Sequence, residues 1–175
     1  MGYTKTKEDD LVDKGKREIK ASDRLYSLTF RKPFLGLLVE EKNMAVHSKA
    51  NILVVDDDDF IRNLVCVMLS TLGYVTTSAQ GAVEALICMK NNDDFQLVLT
   101  DINMPQIDGW ELALHIKDLK PDVPVVALTG EAPNEILPKL PGSGIDHALF
   151  KPVKLEVLRD AMSSILQSQW IRYAS

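Results

Sequence analysis

Between Asn51 and Gln167 the chain alternates short, nearly continuous apolar runs with longer stretches whose apolar residues recur every three or four positions. The short runs, Asn51–Val55, Tyr74–Ala79, Gln96–Thr100, Val123–Leu128 and Ala148–Phe150, read as five strands. Apolar runs without polar alternation are the habit of strands covered on both faces, as in parallel sheets. In Phe60–Leu72 the apolar positions 61, 64, 65, 68, 69 and 72 make one helix face, and Gly73 stops that helix. Ala82–Lys90, Trp110–Leu119 and Lys154–Gln167 read as further helices, the last with Leu155, Leu158, Met162 and Ile165 on its buried face. A turn, Pro105-Gln-Ile-Asp-Gly109, precedes the Trp110 helix. Parallel strands need crossover connections, so the fold class is α/β, built from five βα units.

The fourth unit breaks the pattern. Pro133, Pro138 and Pro141 lie within nine residues, and only Pro133 suits a helix start. A proline in a helix interior costs about 3 kcal/mol, so the fourth helix is expected to shorten to a turn around Asn134–Leu137, followed by an irregular link. Residues 1–50 differ from the rest: the first 24 are dense in mixed charge with few apolar positions, too few to offset the entropy of ordering. This stretch is expected to be a largely disordered extension, with Leu25–Val39 a possible short docking element and Met44 a possible true start of translation. Residues 51–170 form the expected domain.

Charge sharpens this division. Residues 1–50 carry 11 Lys and Arg against 8 Asp and Glu, and residues 51–175 carry 9 against 17, for an overall formal charge of −5. A domain with that field repels nucleic acid and anionic lipid, so neither direct DNA binding nor membrane insertion is expected. Phe34–Val39 is too short for a membrane span or a signal-peptide core. Cys66 and Cys88 sit in helical patterns without metal-binding spacing and read as buried, reduced thiols. A soluble cytoplasmic protein is expected.

The chemistry gathers at the ends of the strands. Asp56 and Asp57 follow the first, Asp101 the third, Thr129 the fourth and Lys151 the fifth. In an open parallel sheet these positions share the edge where ligands bind. Three carboxylates there repel one another unless a divalent cation with oxygen ligands relieves them, and a hydroxyl and an ammonium alongside suit an incoming phosphoryl group. Phosphoryl transfer asks a site mainly to position reactants and neutralise charge on three equatorial oxygens. Asp101 is then the nucleophile, and its ionisation beside other carboxylates needs the cation and Lys151. Asp58 and Asp59 read more simply as helix-capping acids. Lys151-Pro152 fits a cis peptide. His47, His115 and His147 read as surface or satisfied groups, and Trp110 and Trp170 as packing residues.

Four stretches, Ile52-Leu-Val-Val-Asp-Asp-Asp, Leu99-Thr-Asp-Ile-Asn-Met-Pro-Gln-Ile-Asp-Gly109, Ala127-Leu-Thr-Gly130 and Lys151-Pro152, occur in this order and at these separations. In that combination residues 51–170 resemble a response-regulator receiver domain of bacterial two-component signalling. The resemblance implies a doubly wound, five-stranded parallel sheet in the order 2-1-3-4-5, the flavodoxin-like and CheY-like arrangement. It implies that Asp101 accepts a phosphoryl group from a phosphohistidine on a histidine kinase or a histidine phosphotransfer protein. Mg²⁺ would be held by Asp56, Asp57, Asp101 and the backbone carbonyl of Asn103, with Asp57 and Asp101 as direct ligands and Asp56 acting through a coordinated water. Asn103 and Glu131 occupy the positions that tune self-dephosphorylation in such domains; both are polar, and rapid loss of the phosphoryl group is expected.

Two departures stand out. Receivers usually carry Tyr or Phe three positions before the lysine, where this chain has Ala148, and the fourth helix is broken by proline. Phe150 is a possible substitute reporter, although strand alternation points it away from the face of its neighbour. The expected function is a single-domain response regulator that docks on a partner when phosphorylated. The alternative is a receiver-like interaction module with a vestigial site. A flavin-binding relative of the same topology would need a phosphate loop in place of the acids after strand 1, and a dehalogenase-type hydrolase would need an aspartate where Asn103 stands.

Overall fold

The computed structural model describes residues 50–173, with side chains described to Ser168. The expectations for residues 1–49, including His47, Met44 as a start and an element at Leu25–Val39, lie outside the described residues, as does the Trp170 side chain. The elements run β1 (Asn51–Val55), α1 (Asp59–Thr71), β2 (Val75–Ala79), α2 (Ala82–Asn91), β3 (Phe95–Thr100), α3 (Gly109–Leu119), β4 (Val125–Thr129), α4 (Pro133–Ile136), a 3₁₀ turn (Leu137–Lys139), β5 (His147–Phe150) and α5 (Leu155–Tyr173). All strands pair in parallel, in the order β2-β1-β3-β4-β5.

Register levels the strand ends. Val55 pairs with Thr100, so Asp56 and Asp101 leave their strands side by side, and the Asp101 amide donates to the Val55 carbonyl at 2.8 Å. Thr129 pairs with Phe150, and the Lys151 amide donates to the Thr129 carbonyl at 2.7 Å. The central strands are buried almost throughout: Ile52, Leu53, Leu97, Val98, Val125, Val126 and Ala127 are each 0% exposed. Burying a side chain of this kind stabilises by about 1.5–3 kcal/mol, and the sheet interior therefore anchors the rim that carries the polar groups.

Local chemistry explains the boundaries. Asp58 caps α1 by accepting from the Phe60 and Ile61 amides at 2.8 and 3.1 Å, and Asp59 lies in the first turn. At the other end Gly73 takes φ +91, and the Tyr74 amide reaches back to the Leu69 carbonyl at 3.1 Å. Tyr74 thus belongs to the helix stop, and β2 begins one residue later than its apolar pattern indicates. β4 begins at Val125 because Pro124 has no amide to donate to the ladder, and it runs on to include Thr129.

The fourth helix is short and the Pro141-Gly142-Ser143-Gly144 link beyond it is irregular, as expected, but Pro138 does not break the helical path. It lies at the start of the 3₁₀ turn, where a missing amide costs nothing. α5 extends beyond Gln167 to Tyr173. Leu158, Met162 and Ile165 are buried on it, whereas Leu155, in its first turn, is 39% exposed and not part of the buried face. On α1, Val65 and Leu69 are buried while Leu64 is 46% exposed. Cys66 and Cys88 are free and half-buried, and burial pushes the Cys66 thiol up despite the Thr76 hydrogen bond and the Arg62 charge.

Candidate functional site

β1, β3 and β5 deliver their polar residues to one point on the rim. Asp56, Asp57 and Asp101 each place a carboxylate oxygen within 4.8 Å of the others. The Lys151 ammonium lies 2.9 Å from Asp56 Oδ2 and 3.1 Å from Asp101 Oδ1. The Lys151-Pro152 peptide is cis. Asp56 is buried and its second oxygen accepts from the Asp58 amide at 2.9 Å, while Arg62, ion-paired with Asp59, donates to the Asp56 carbonyl at 2.6 Å. Asp57 is exposed, and among the described residues no hydrogen bond or ion pair engages its carboxylate.

The electrostatics follow from burial and pairing. Asp101 is held above the usual carboxylate range, chiefly because burial disfavours its charge; Lys151 opposes this and the charge of Asp56 adds to it. The sequence placed the blame on neighbouring carboxylates, but desolvation comes first. Lys151 is pushed down by its own burial and pushed up by its hydrogen bonds and charge pairing with Asp56 and Asp101, and the carboxylates win. Three carboxylates against one ammonium leave the cluster with a surplus of negative charge. An all-oxygen donor set with that surplus fits a hard divalent cation such as Mg²⁺.

Thr129 reaches the same rim at the end of β4. The Thr129 side chain is fully buried, and its hydroxyl accepts from the Glu131 amide at 3.1 Å. Asn103 is exposed in the loop after β3, and the Glu131 side chain is half-buried. Ala148 is buried beside β4, and Phe150 packs against the same apolar cluster, which also holds Ile136. Alternation along β5 therefore puts Phe150 on the Ala148 side. Trp110 is half-buried against that cluster too, His115 lies 3.7 Å from Glu111 on the exposed side of α3, and burial lowers the half-buried His147.

Two contributors escaped the sequence reading. The Thr100 hydroxyl donates to the Asp101 carbonyl at 2.8 Å from a fully buried position. Gly109 packs directly on the Asp101 backbone. Neither leaves a mark on hydrophobic periodicity.

The family model for the response regulator receiver domain matches residues 52–163. The chain belongs to this family. Among curated relatives, the sensor histidine kinase RcsC of Salmonella typhimurium is 35% identical over 142 residues, which is 80% of this chain and 15% of RcsC. This receiver chain thus spans a small part of the length of the curated relatives it matches. A CheY-like receiver domain protein from Methanospirillum hungatei superposes with a TM-score of 0.66 at 31% identity, covering 71% of this chain and 99% of the other. The response regulator TrrA of Thermotoga maritima, solved in complex with Mg²⁺ and BeF, gives 0.61 at 30% identity, covering 66% and 98%. Receiver domains are signalling modules of two-component systems that bind Mg²⁺ at an acidic pocket and take phosphoryl groups from histidine kinases. Among the described residues no helix is long and apolar enough to cross a membrane.

Proposed function

We propose that Asp101 is the phosphoacceptor of a response regulator, charged by a phosphohistidine on a histidine kinase or a histidine phosphotransfer protein, and that the charged form docks on a downstream partner. The observation that carries this reading is the Lys151 ammonium bridging Asp56 and Asp101 beside the exposed Asp57 carboxylate. A decayed site has no reason to keep that arrangement, which disfavours the vestigial interaction module.

The roles follow from position. An Asp101 oxygen attacks phosphorus while the phosphorus–nitrogen bond of the donor breaks, the electron pair leaving with the imidazole, which takes up a proton. Lys151, tethered between two carboxylates, neutralises one phosphoryl oxygen. The buried Thr129 hydroxyl serves another. Asp56, Asp57, Asp101 and the Asn103 carbonyl would hold Mg²⁺, which supplies further neutralisation of phosphoryl charge. The protein thereby assists its own phosphotransfer.

Incubation with a small acyl phosphate and Mg²⁺, followed by intact-mass and peptide analysis, tests the assignment. One phosphoryl group is expected on Asp101 and none on Asp101→Asn; label persisting in that variant removes the assignment. Lifetime tests the flanking residues. Asn103 and the half-buried Glu131 are polar and, in this reading, orient a water on the acyl phosphate, so the Asn103→Ala, Glu131→Ala double variant is expected to hold its label roughly tenfold longer, within what general acid–base assistance contributes. An unchanged decay in a phosphate-release assay would falsify that role.

A further inference from the structure

Thr100 and Gly109 act on Asp101 from outside the carboxylate cluster, and we propose that they are a positioning pair that fixes the acceptor's backbone, an inference that rests on Asp101 receiving the phosphoryl group. Thr100 is the last residue of β3 and is 0% exposed. Valine has nearly its shape and would pack there without a polar group to satisfy. The hydroxyl is used: it donates to the Asp101 carbonyl at 2.8 Å.

Gly109 packs closely against the same carbonyl. A Cβ on Gly109 would stand 2.2 Å from the Asp101 oxygen and 2.8 Å from the Ile102 Cα, both backbone atoms that cannot rotate aside. Gly109 does not occupy the left-handed region, unlike Gly73, Gly142 and Gly144, so glycine is required here for space and not for φ. The Gly109 amide donates to the Ile102 carbonyl at 2.8 Å, and the Met104 amide reaches the same oxygen at 3.2 Å. With the Asp101 amide bonded to the Val55 carbonyl and the Asp101 carbonyl held by the Thr100 hydroxyl, the acceptor is fastened on both of its peptide planes. A nucleophile held this way keeps its attack geometry without paying for it in each encounter.

Four variants separate positioning from stability: Thr100→Ser, Thr100→Val, Gly109→Ala and, as a remote control, Gly144→Ala. Gly144 has φ +81 and a Cβ there would meet the Ala113 backbone at 3.0 Å, so its variant loses stability away from the rim. Thermal midpoint, Mg²⁺ affinity by titration calorimetry and acyl-phosphate labelling rate are measured on the full chain. Thr100→Ser keeps the hydroxyl and is expected to label at close to the wild-type rate. Thr100→Val is expected to label roughly 10-fold slower and Gly109→Ala roughly 100-fold slower, the scale of an ångström's misplacement. Gly144→Ala should melt lower with affinity and rate intact.

Wild-type labelling by Thr100→Val and Gly109→Ala, or equal impairment of Thr100→Ser and Thr100→Val, overturns the proposal. Should Gly109→Ala fail to fold, the two Thr100 variants decide alone. A wild-type protein that binds Mg²⁺ but takes no label defeats the phosphoacceptor reading instead. The pair is then judged by affinity: weaker Mg²⁺ binding by Thr100→Val than by Thr100→Ser supports it, and equal binding overturns it. A wild-type protein that binds no Mg²⁺ and takes no label overturns both.

Discussion

Lys151→Ala is expected to destabilise the metal-free protein by about 3 kcal/mol and to slow phosphoryl uptake by roughly 100-fold or more. The reason is the company Lys151 keeps. Its ammonium is 2.9 Å from Asp56 and 3.1 Å from Asp101, whose side chains are 4% and 11% exposed, while its own is 23% exposed. Removing one member of a buried pair leaves charge in low dielectric without compensation, and the partial exposure of Lys151 sets the loss at the lower end of the usual range. Mg²⁺ binding to the folded state should restore much of the stability by mass action, while the lost contact to the phosphoryl group stays lost. Urea melts with and without Mg²⁺, beside labelling kinetics, separate the two effects. A variant as stable as wild type in the absence of metal would show that solvent already compensates the carboxylates.

Asp101→Asn is expected to do the opposite to stability. The folded-state pKa of Asp101 is raised, chiefly by burial, so the folded protein holds that proton to higher pH than the unfolded chain does. The stability this group contributes is therefore present at low pH and lost as pH rises through the folded value; at neutral pH its ionised form is a net cost. Asparagine removes the cost and leaves Lys151 its pairing with Asp56. The melting temperature at pH 7 without metal should rise by a few degrees, at roughly 2–4 °C per kcal/mol for a chain of this size. The gap between variant and wild type should close in acid, where Asp101 is protonated. A lower melting temperature for Asp101→Asn at pH 7 would mean that Lys151 outweighs burial. The variant that, on the proposed function, takes no phosphoryl group is thus expected to be the more robust fold.

How much of this was legible from the chain varies by residue. The acids after β1 and β3 were visible because apolar runs ended in them, and the parallel topology placed them together before any coordinate did. Lys151 was legible through Lys-Pro at a strand end, and Asp58 through its place before a helical pattern. Other features depend on what folding brings near. Thr100 looked like strand filler, since periodicity cannot tell a satisfied hydroxyl from a solvated one. Gly109 read as a turn glycine, because its close approach to Asp101 exists only once α3 packs. Charges can be counted along a sequence and desolvation cannot, which is why the leading cause of the Asp101 shift was misjudged. Leu155 fitted the apolar stripe of α5 but is the first residue of that helix and stays exposed. Pro138 was charged the penalty of an α-helix interior, although a 3₁₀ turn starts where it stands.

At the far end of β4 the Asp146 amide donates to the Val125 carbonyl at 2.8 Å, while the Asp146 carboxylate accepts from the Val125 amide at 2.8 Å and pairs with Lys117 at 2.7 Å. The foot of that strand is bolted to its neighbour and to α3, at the opposite end of the strand from the Thr129 hydroxyl. The tip is tied as well, through the Lys151 amide on the Thr129 carbonyl, so a displacement of Thr129 is shared with the backbone of the residue that bears the ammonium.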